Sequence, residues 1–344
     1  MRRSLDLSYV LASLHGPYGR ALYPIKHVAT YARNRIYVGI TNYGERVSLN
    51  FSKSVRIFIC GPTGSGKTWL ARSIIDRAYR CDVIPVVLSD LKGEYYTSAE
   101  PFNGNNPLYL KYEEPSGLPL KIYYPRFFRH FTITEMPFEY YPFTLSVRDL
   151  TLTELLTLLG DVSETQRNLL ERVFERGMSY DELIEKLSKI QGKSAKVLVR
   201  KLNSLEKYEV IGEYRQDIIA DIKDKKVPVF CLAGWDKLGK HSYYISAVMA
   251  IITRMILDAK RTGTIPKKYK VLLVIDETPQ FTPVDSDTEA GRALLYACNI
   301  GRKYGISMMF MSQFLNKKLY DFVLNSRYVL LSHNIDVEIM AEIF

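Results

Sequence analysis

An eight-residue glycine-rich segment at positions 61–68, GPTGSGKT, constrains the fold of this chain more than any other feature. It fits the pattern G-x-x-x-x-G-K-[ST] in full, follows an apolar run at 55–60 and precedes a helical pattern that reaches about Arg80. Between a strand and a helix, the backbone amides of such a loop surround phosphate oxygens. The segment therefore predicts a phosphate-binding loop in an α/β fold.

The chemistry of this loop follows from its polar residues. Lys67 is expected to reach the β and γ phosphates of a nucleotide, and the Thr68 hydroxyl is expected to bind Mg²⁺. The other residues predicted to bind the nucleotide are Pro62, Thr63, Gly64, Ser65 and Gly66. The competing interpretation is a chance match in a turn that merely ends a strand, and the strand and helix on either side of the loop argue against it.

Apolar runs typical of buried strands recur along the rest of the chain. They lie at 83–90, 227–234, 271–277, 305–313 and 328–332, and helical patterns at 242–260 and 288–303 fit between them. Alternation of strands and helices is typical of a parallel sheet covered by helices. We therefore predict an α/β fold with a mostly parallel central sheet.

Residues 146–212 change to a helical period and predict a small helical bundle inserted into the sheet domain. Three capping boxes begin helical patterns within it: Thr151-x-x-Glu154, Ser163-x-x-Gln166 and Ser179-x-x-Glu182. Two β-rich runs within 35–50 predict a hairpin. The predicted domains are a β-rich N-terminal segment (1–50), the first part of the core (51–145), the inserted bundle (146–212) and the second part of the core (213–344).

Polar residues at predicted strand ends are the candidate catalytic groups. The run VLLVIDE places Asp276 and Glu277 at the carboxyl edge of the sheet. There Asp276 would hold Mg²⁺ through water, and Glu277 would polarise the attacking water. Gln313 ends another predicted strand. It is either a residue that contacts the γ-phosphate or an ordinary surface residue. Arg302 either complements a helix C-terminus or stabilises transition-state charge in a neighbouring subunit.

Composition narrows the class of protein. The 344 residues include 47 Lys and Arg against 37 Asp and Glu, a net charge of +10, and 47% are hydrophobic, which excludes a disordered or collagen-like chain. The excess of basic residues is compatible with binding to nucleic acid, with binding to an anionic membrane surface, or with a role in solubility alone. No apolar run reaches the roughly 20 residues of a spanning helix, so we expect a cytoplasmic chain without an integral membrane segment.

The four cysteines do not form the C-x-x-C pairs that are typical of zinc and redox sites. They lie far apart, and the expected state is the reduced thiol: Cys60, Cys81, Cys231 and Cys298.

The motifs, taken together, resemble those of the HerA/FtsK superfamily. The phosphate loop, the segment SDLKGE at 89–94, the helical insertion, VLLVIDE and the block GRKYG at 301–305 leading to Ser312 and Gln313 occur in the order and approximate spacing of that superfamily. The chain is most similar to HerA-type pumping ATPases, which are related to conjugation and viral genome-packaging ATPases. The resemblance implies a RecA-like P-loop NTPase fold, with a reduced or absent N-terminal barrel.

The resemblance also implies ATP and Mg²⁺ as cofactors and a role for each site residue. The implied roles are nucleotide and metal binding for Lys67 and Thr68, metal binding for Asp276, catalytic base for Glu277, sensor for Gln313, finger acting in trans for Arg302, and auxiliary acids near the nucleotide for Asp90 and Glu94.

The implied function is that of a hexameric ring that hydrolyses ATP and translocates double-stranded DNA without sequence specificity. A nuclease or a packaging or transfer protein is the implied partner. Two alternatives stay open from the sequence. One is a secretion or conjugation-type ATPase that moves a protein or nucleoprotein and shares the same catalytic residues. The other is a nucleotide-dependent switch, which would need no arginine finger.

Overall fold

The structure is a computed structural model that describes residues 10–12, 35–40, 46–100, 117–127, 140–212, 216–233, 243–282, 288–316 and 319–332. In this part of the chain, strands and helices alternate as the sequence predicts. The strands are β1 (Val10–Ala12), β2 (Arg35–Ile40), β3 (Arg46–Asn50), β4 (Arg56–Cys60), β5 (Val83–Asp90), β6 (Leu120–Pro125), β7 (Tyr141–Phe143), β8 (Val227–Cys231), β9 (Lys270–Ile275), β10 (Ile306–Ser312) and β11 (Tyr328–Ser332).

The helices of the same residues alternate with these strands and form the inserted bundle. They are α1 (Lys67–Arg80), α2 (Leu152–Leu159), α3 (Glu164–Val173), α4 (Tyr180–Ser188), α5 (Lys193–Lys207), α6 (Ile218–Lys223), α7 (Tyr243–Thr262), α8 (Glu289–Ile300) and α9 (Tyr320–Leu324). Within the described ranges, none of them is long and apolar enough to cross a membrane.

Nine of the described strands form one sheet in the order β1-β11-β4-β10-β9-β5-β8-β6-β7. All neighbours in it pair in parallel. Strands β5, β8 and β10 are buried along their whole length, as expected for central strands covered on both faces. The predicted parallel α/β fold is confirmed.

A second sheet consists of β2 and β3, which pair antiparallel from Arg35 with Asn50 to Ile40 with Arg46. This pair confirms the two strands of the predicted hairpin, whose turn at 41–45 lies outside the described residues. The edge strand β1, which pairs with β11, has no counterpart among the predicted elements.

The insertion at 146–212 contains four helices, α2 to α5, and the starts of the first three follow the capping signals. Thr151, Ser163 and Ser179 each accept a hydrogen bond from the amide three residues on, and the side chain at that position bonds back to the cap. The three predicted capping boxes are confirmed. The bundle contacts the rest of the protein where α2 packs on α7. The exact domain boundaries remain a prediction.

The strand order decides where the functional residues meet. Four neighbours in the middle of the sheet, β4, β10, β9 and β5, end at the same edge because they all run in the same direction. The phosphate loop follows β4, Gln313 follows β10, Asp276 follows β9, and Asp90 ends β5. Ligands in open α/β sheets bind at this carboxyl edge.

Candidate active site

The phosphate loop is tied to the sheet at its first residue. The amide of Gly61 donates to the carbonyl of Ser312, at 3.1 Å. A side chain at position 61 would clash with the Ser332 hydroxyl, so only glycine fits there. At the other end of the loop, Gly66 has φ of +86°, a conformation that glycine adopts without strain and that turns the chain into α1.

The start of α1 presents donors to a ligand. The first hydrogen bond of the helix runs from Leu70 N–H to the Gly66 carbonyl, at 2.9 Å, so the amides of Lys67, Thr68 and Trp69 precede the helical ladder. No side chain caps this end, and its first turn contains no acid. The Ser65 hydroxyl is buried beside the loop without a hydrogen-bond partner among the described residues. This set of donors fits phosphate oxygens.

Lys67 points back over the loop. Its ammonium group donates to the carbonyl of Pro62, at 3.0 Å. Burial lowers the pKa of Lys67, and the nearby carboxylates of Glu277 and Asp276 act in the opposite direction. The cation therefore lies close to both acids of the predicted catalytic pair.

Asp276, directly after β9, is held by its neighbour Glu277 and by Ser89 of β5. Its carboxylate accepts a hydrogen bond from the Glu277 amide, at 2.9 Å, and its carbonyl accepts one from the Ser89 hydroxyl, also at 2.9 Å. Burial raises the pKa of Asp276 to about 7, and repulsion from Glu277 adds to this rise. A cation bound here would stabilise the ionised form, which the buried surroundings disfavour.

Glu277 departs from the sequence prediction in its backbone. The predicted strand reached Glu277, but β9 ends at Ile275, and Glu277 has φ of +49° in the left-handed region. A residue other than glycine is rarely found there, and strained backbone of this kind concentrates at active sites. The turn directs Glu277 away from the path of the strand.

Gln313 joins Glu277 to the phosphate loop. Its amide nitrogen donates to the Glu277 carboxylate, and its amide oxygen accepts a hydrogen bond from the Thr63 hydroxyl, at 2.7 Å. One side chain thus spans from the acid after β9 to the loop after β4. Three residues that are distant in sequence form a continuous hydrogen-bonded chain.

Asp90 organises the turn after β5. Its two carboxylate oxygens accept the amides of Glu94 and Tyr95, each at 3.0 Å, whereas the Glu94 side chain is exposed. Burial raises the pKa of Asp90 to about 6, although these two amide bonds favour the ionised form. The buried Tyr95 then directs its hydroxyl at Asp276, at 3.5 Å. The end of β5 therefore acts on Asp276 through Tyr95.

Sequence reasoning missed Tyr95, Ser89 and Lys92 as parts of the site. The charge of Lys92 reaches both Lys67 and Asp276. All three lie within or directly after the segment SDLKGE. Their position beside an acidic strand end is the sequence feature that could have identified them. A tyrosine directly after that segment, however, is indistinguishable in the sequence from an ordinary core residue.

Arg302 lies at the other edge of the sheet. It is exposed in a short helical turn, Gly301–Tyr304, that immediately precedes β10. The length of β10 places it about 20 Å from Gln313, so it does not meet the phosphate loop of its own chain. It lines a cavity of about 860 Å³ that is rich in cations, including Lys53, Arg261 and Lys303.

The donor set fits a nucleoside triphosphate with Mg²⁺. The loop amides and Lys67 match phosphate oxygens, and the Ser65 hydroxyl is a buried donor whose bond would be completed there. Magnesium in such sites is held by few protein groups together with phosphate oxygens. Thr68, in the first turn of α1, and Asp276 supply a hydroxyl and a carboxylate of the required kind.

The raised pKa of Asp276 predicts a pH-dependent effect of Asp276→Asn on stability. The folded protein keeps this proton up to about pH 7, whereas the unfolded chain releases it near 3.8. The parent therefore loses stability from this carboxyl as pH rises towards 7, a loss that the asparagine variant lacks. The advantage of the variant in unfolding free energy should grow by about 2 kcal/mol between pH 5.5 and pH 8.

The measurement is urea denaturation of the nucleotide-free protein in EDTA at both pH values. Asp224→Asn is the matched control, because Asp224 is exposed and its removal should have the same effect at either pH. An effect of Asp276→Asn that does not change with pH would show that burial does not hold this carboxyl in its neutral form.

Comparisons with known proteins agree with this fold. The structure is similar to that of VirB4 of Thermoanaerobacter pseudethanolicus, with 15% identity, a TM-score of 0.56, and coverage of 89% of this chain and 86% of that one. The bacterial conjugative coupling protein TrwB shares 14% identity over 80% of this chain and 69% of that one, with a TM-score of 0.47. At such identities the likeness to VirB4 shows the fold alone. Among curated proteins no significant match was found.

A family model gives the stronger result. Residues 36–252 match the family described as DUF87, helicase HerA, central domain. The match covers more than half of the chain and includes the phosphate loop, the end of β5 and the helical insertion. The protein is a P-loop ATPase with ATP and Mg²⁺ as its cofactors, and it belongs to the HerA central-domain family.

Proposed function

We propose that this chain is the subunit of a homo-oligomeric ring, hexameric as in the family it resembles, which hydrolyses ATP and moves double-stranded DNA. The observation that supports it most directly is the Gln313 side chain, which bonds to both Thr63 and Glu277. A group in this position contacts both the phosphate side and the acid that would activate water. It can therefore transmit the state of the nucleotide to β10 and the rest of the sheet.

The proposed chemistry is phosphoryl transfer to water, with catalysis by positioning and by stabilisation of charge. Glu277 accepts a proton from the attacking water, and its hydrogen bond to Gln313 fixes the carboxylate for that task. Lys67 and the loop amides hold the phosphates. Thr68 and Asp276 hold Mg²⁺, which when bound neutralises charge on the phosphate oxygens.

The remaining predicted nucleotide-binding residues act around this centre. Pro62, Thr63, Gly64, Ser65 and Gly66 form the loop that encloses the phosphates. We assign Asp90 and Glu94 an indirect part, because the Asp90 carboxylate is used by the backbone of the turn that carries Tyr95.

We propose that Arg302 completes the active site of a neighbouring subunit. It is exposed at the amino edge of the sheet, remote from its own Glu277, and the cavity around it is basic. A ring that stacks the amino edge of one subunit on the carboxyl edge of the next would bring Arg302 to the neighbour's phosphates. Assembly is then required for full hydrolysis.

The proposed substrate is duplex DNA, bound through its phosphates. The net charge of +10 favours a polyanion, and contacts to phosphates give affinity with little sequence dependence. A nuclease or a packaging or transfer protein is the proposed partner, and the cytoplasm the proposed location.

Duplex DNA should stimulate the steady-state ATPase of the purified protein, and the stimulation should decrease as salt rises, because phosphate contacts are screened. Glu277→Gln should lower kcat at least about 100-fold with and without DNA, since the general base is lost. ATP binding by the same variant should persist, because the phosphate loop is unchanged. Enzyme-coupled phosphate release and equilibrium binding of labelled ATP measure the two effects.

Glu171→Gln is the control for this experiment. Glu171 is an exposed acid of α3, so this substitution removes the same charge far from the loop. Hydrolysis that is indifferent to DNA would contradict a DNA motor and favour the secretion-type ATPase that moves a protein. Binding of ATP without any hydrolysis would favour a nucleotide-dependent switch.

Mixing two inactive variants tests the shared active site. Arg302→Ala and Glu277→Gln should each be inactive alone. A 1:1 mixture should recover about a quarter of the parent activity, because one interface in four then pairs an intact Glu277 with an intact Arg302. ATPase assays after the subunits have exchanged measure the recovery.

The control mixture combines Lys67→Ala with Glu277→Gln. Both residues lie at the carboxyl edge of the same chain, so no interface in that mixture contains a complete site. Recovery in the control mixture, or none in the test mixture, would contradict the assignment of Arg302 to a neighbouring subunit.

A further inference from the structure

The inserted helical bundle contains a strongly basic segment. Residues 186–207 include seven cations and a single acid, Glu206. The cations are Lys186, Lys189, Lys193, Lys196, Arg200, Lys201 and Lys207. Among the other bundle helices, α3 and α4 mix both signs of charge and α2 contains only an acid, so this segment differs from the rest of the insertion.

Four of these cations lie on one face of α5. Lys193, Lys196, Arg200 and Lys207 follow one another at intervals of three, four and seven residues, which places them along one side of an α-helix. All four are exposed. They form a line about 21 Å long, which we call the basic stripe.

The opposite face of α5 is apolar and buried. Leu198, Leu202 and Leu205 are within 1% of complete burial in the core of the bundle. The basic stripe therefore points away from the protein. Since the apolar face is already used in packing, α5 has no apolar surface with which to enter a lipid interface.

The cations outside the stripe have partners. Lys186 pairs with Glu175 and Lys189 with Glu185, each at 2.6 Å, and Lys201 donates to the carbonyls of Leu159 and Asp161. Among the described residues, no member of the stripe pairs with an acid. Lys196 and Arg200 are instead like charges four residues apart, a spacing that destabilises a helix.

The beginning of α5 also departs from what stabilises a helix. The other three helices of the bundle begin with a capping box and an acid in the first turn. Helix α5 follows Gly192, has no side-chain cap and no acid in its first turn, and begins with Lys193. A cation at that end opposes the helix dipole. Departures from local rules of this kind point to function rather than stability.

We infer that the basic stripe is a surface for the phosphate backbone of duplex DNA. This inference rests on the proposed function and adds to it a location for the DNA outside the active site. Lysine and arginine on an exposed helix face bind phosphates without reading bases, which suits a substrate that is moved along its length.

The position of α5 also links the stripe to the site of hydrolysis. Its inner side contributes Lys201, Ser204 and Leu205 to a cavity of about 1160 Å³ between the bundle and the core. The other wall of that cavity includes Gln280 and Phe281, which closely follow Glu277. The helix that carries the stripe therefore adjoins the segment that follows the catalytic acid.

The test compares the parent with two variants that remove four charges each. The stripe variant replaces Lys193, Lys196, Arg200 and Lys207 with glutamine. The matched control replaces four exposed cations elsewhere with glutamine: Arg172, Arg176, Lys267 and Lys268. Binding to a fluorescent 40-base-pair duplex is measured by anisotropy across a series of salt concentrations, and ATPase activity without DNA reports correct folding.

The stripe variant should bind the duplex at least about tenfold more weakly at 100 mM salt. Its plot of log affinity against log salt should be less steep than the parent's by about three to four, because four phosphate contacts are lost. The control variant should stay close to the parent in both measures, and all three proteins should share the same ATPase activity without DNA.

Equal losses in both variants would overturn the inference in favour of net charge alone. An unchanged stripe variant beside a parent that binds DNA would overturn the inference and leave the proposed function intact. A parent that does not bind the duplex would instead count against the proposed function. Loss of binding to vesicles with anionic lipids, with DNA binding retained, would assign the stripe to a membrane surface and also overturn the inference.

Discussion

The parallel pairing of β4, β10, β9 and β5 determines where every candidate residue of the active site lies. Because these neighbours run in the same direction, four segments distant in sequence end side by side at one edge of the sheet. This edge brings together the phosphate loop, the acid pair Asp276 and Glu277, and a side-chain amide that bonds to the loop and to Glu277. Gln313 makes the arrangement continuous, since it contacts Thr63 and Glu277 at once. In the proposed function, a change in the nucleotide would thereby reach β10 directly.

Strand β10 extends from one edge of the sheet to the other. Gln313 follows its carboxyl end, and Arg302 precedes its amino end, so a movement of this strand relative to its neighbours would affect both edges of the subunit. In a ring of stacked subunits, one edge would hold the nucleotide and the other would serve the next subunit. The bundle adds a third element, because the segment after Glu277 borders the cavity beneath it. The segment that follows the proposed catalytic acid and the bundle therefore border the same cavity.

The sequence predicted the sheet, the helical insertion and the candidate residues because each depends on a local pattern. Capping boxes at Thr151, Ser163 and Ser179 and buried apolar runs are such patterns. The missing parts depend on contacts between distant segments. The carboxylate of Asp90 faces its own turn, and Tyr95 reaches Asp276 across the sheet edge, which no local pattern reports. Likewise, the short edge strand β1 exists only by pairing with β11.

We propose that hydrolysis at this edge moves the protein along duplex DNA, and displacement of a third strand measures this movement. A labelled oligonucleotide is bound as a triplex at one end of a linear duplex, and its release is followed after ATP is added. Release should require ATP hydrolysis and should take longer as the distance between the entry end and the triplex increases. Rapid ATP hydrolysis on the same DNA with no release of the third strand would contradict it.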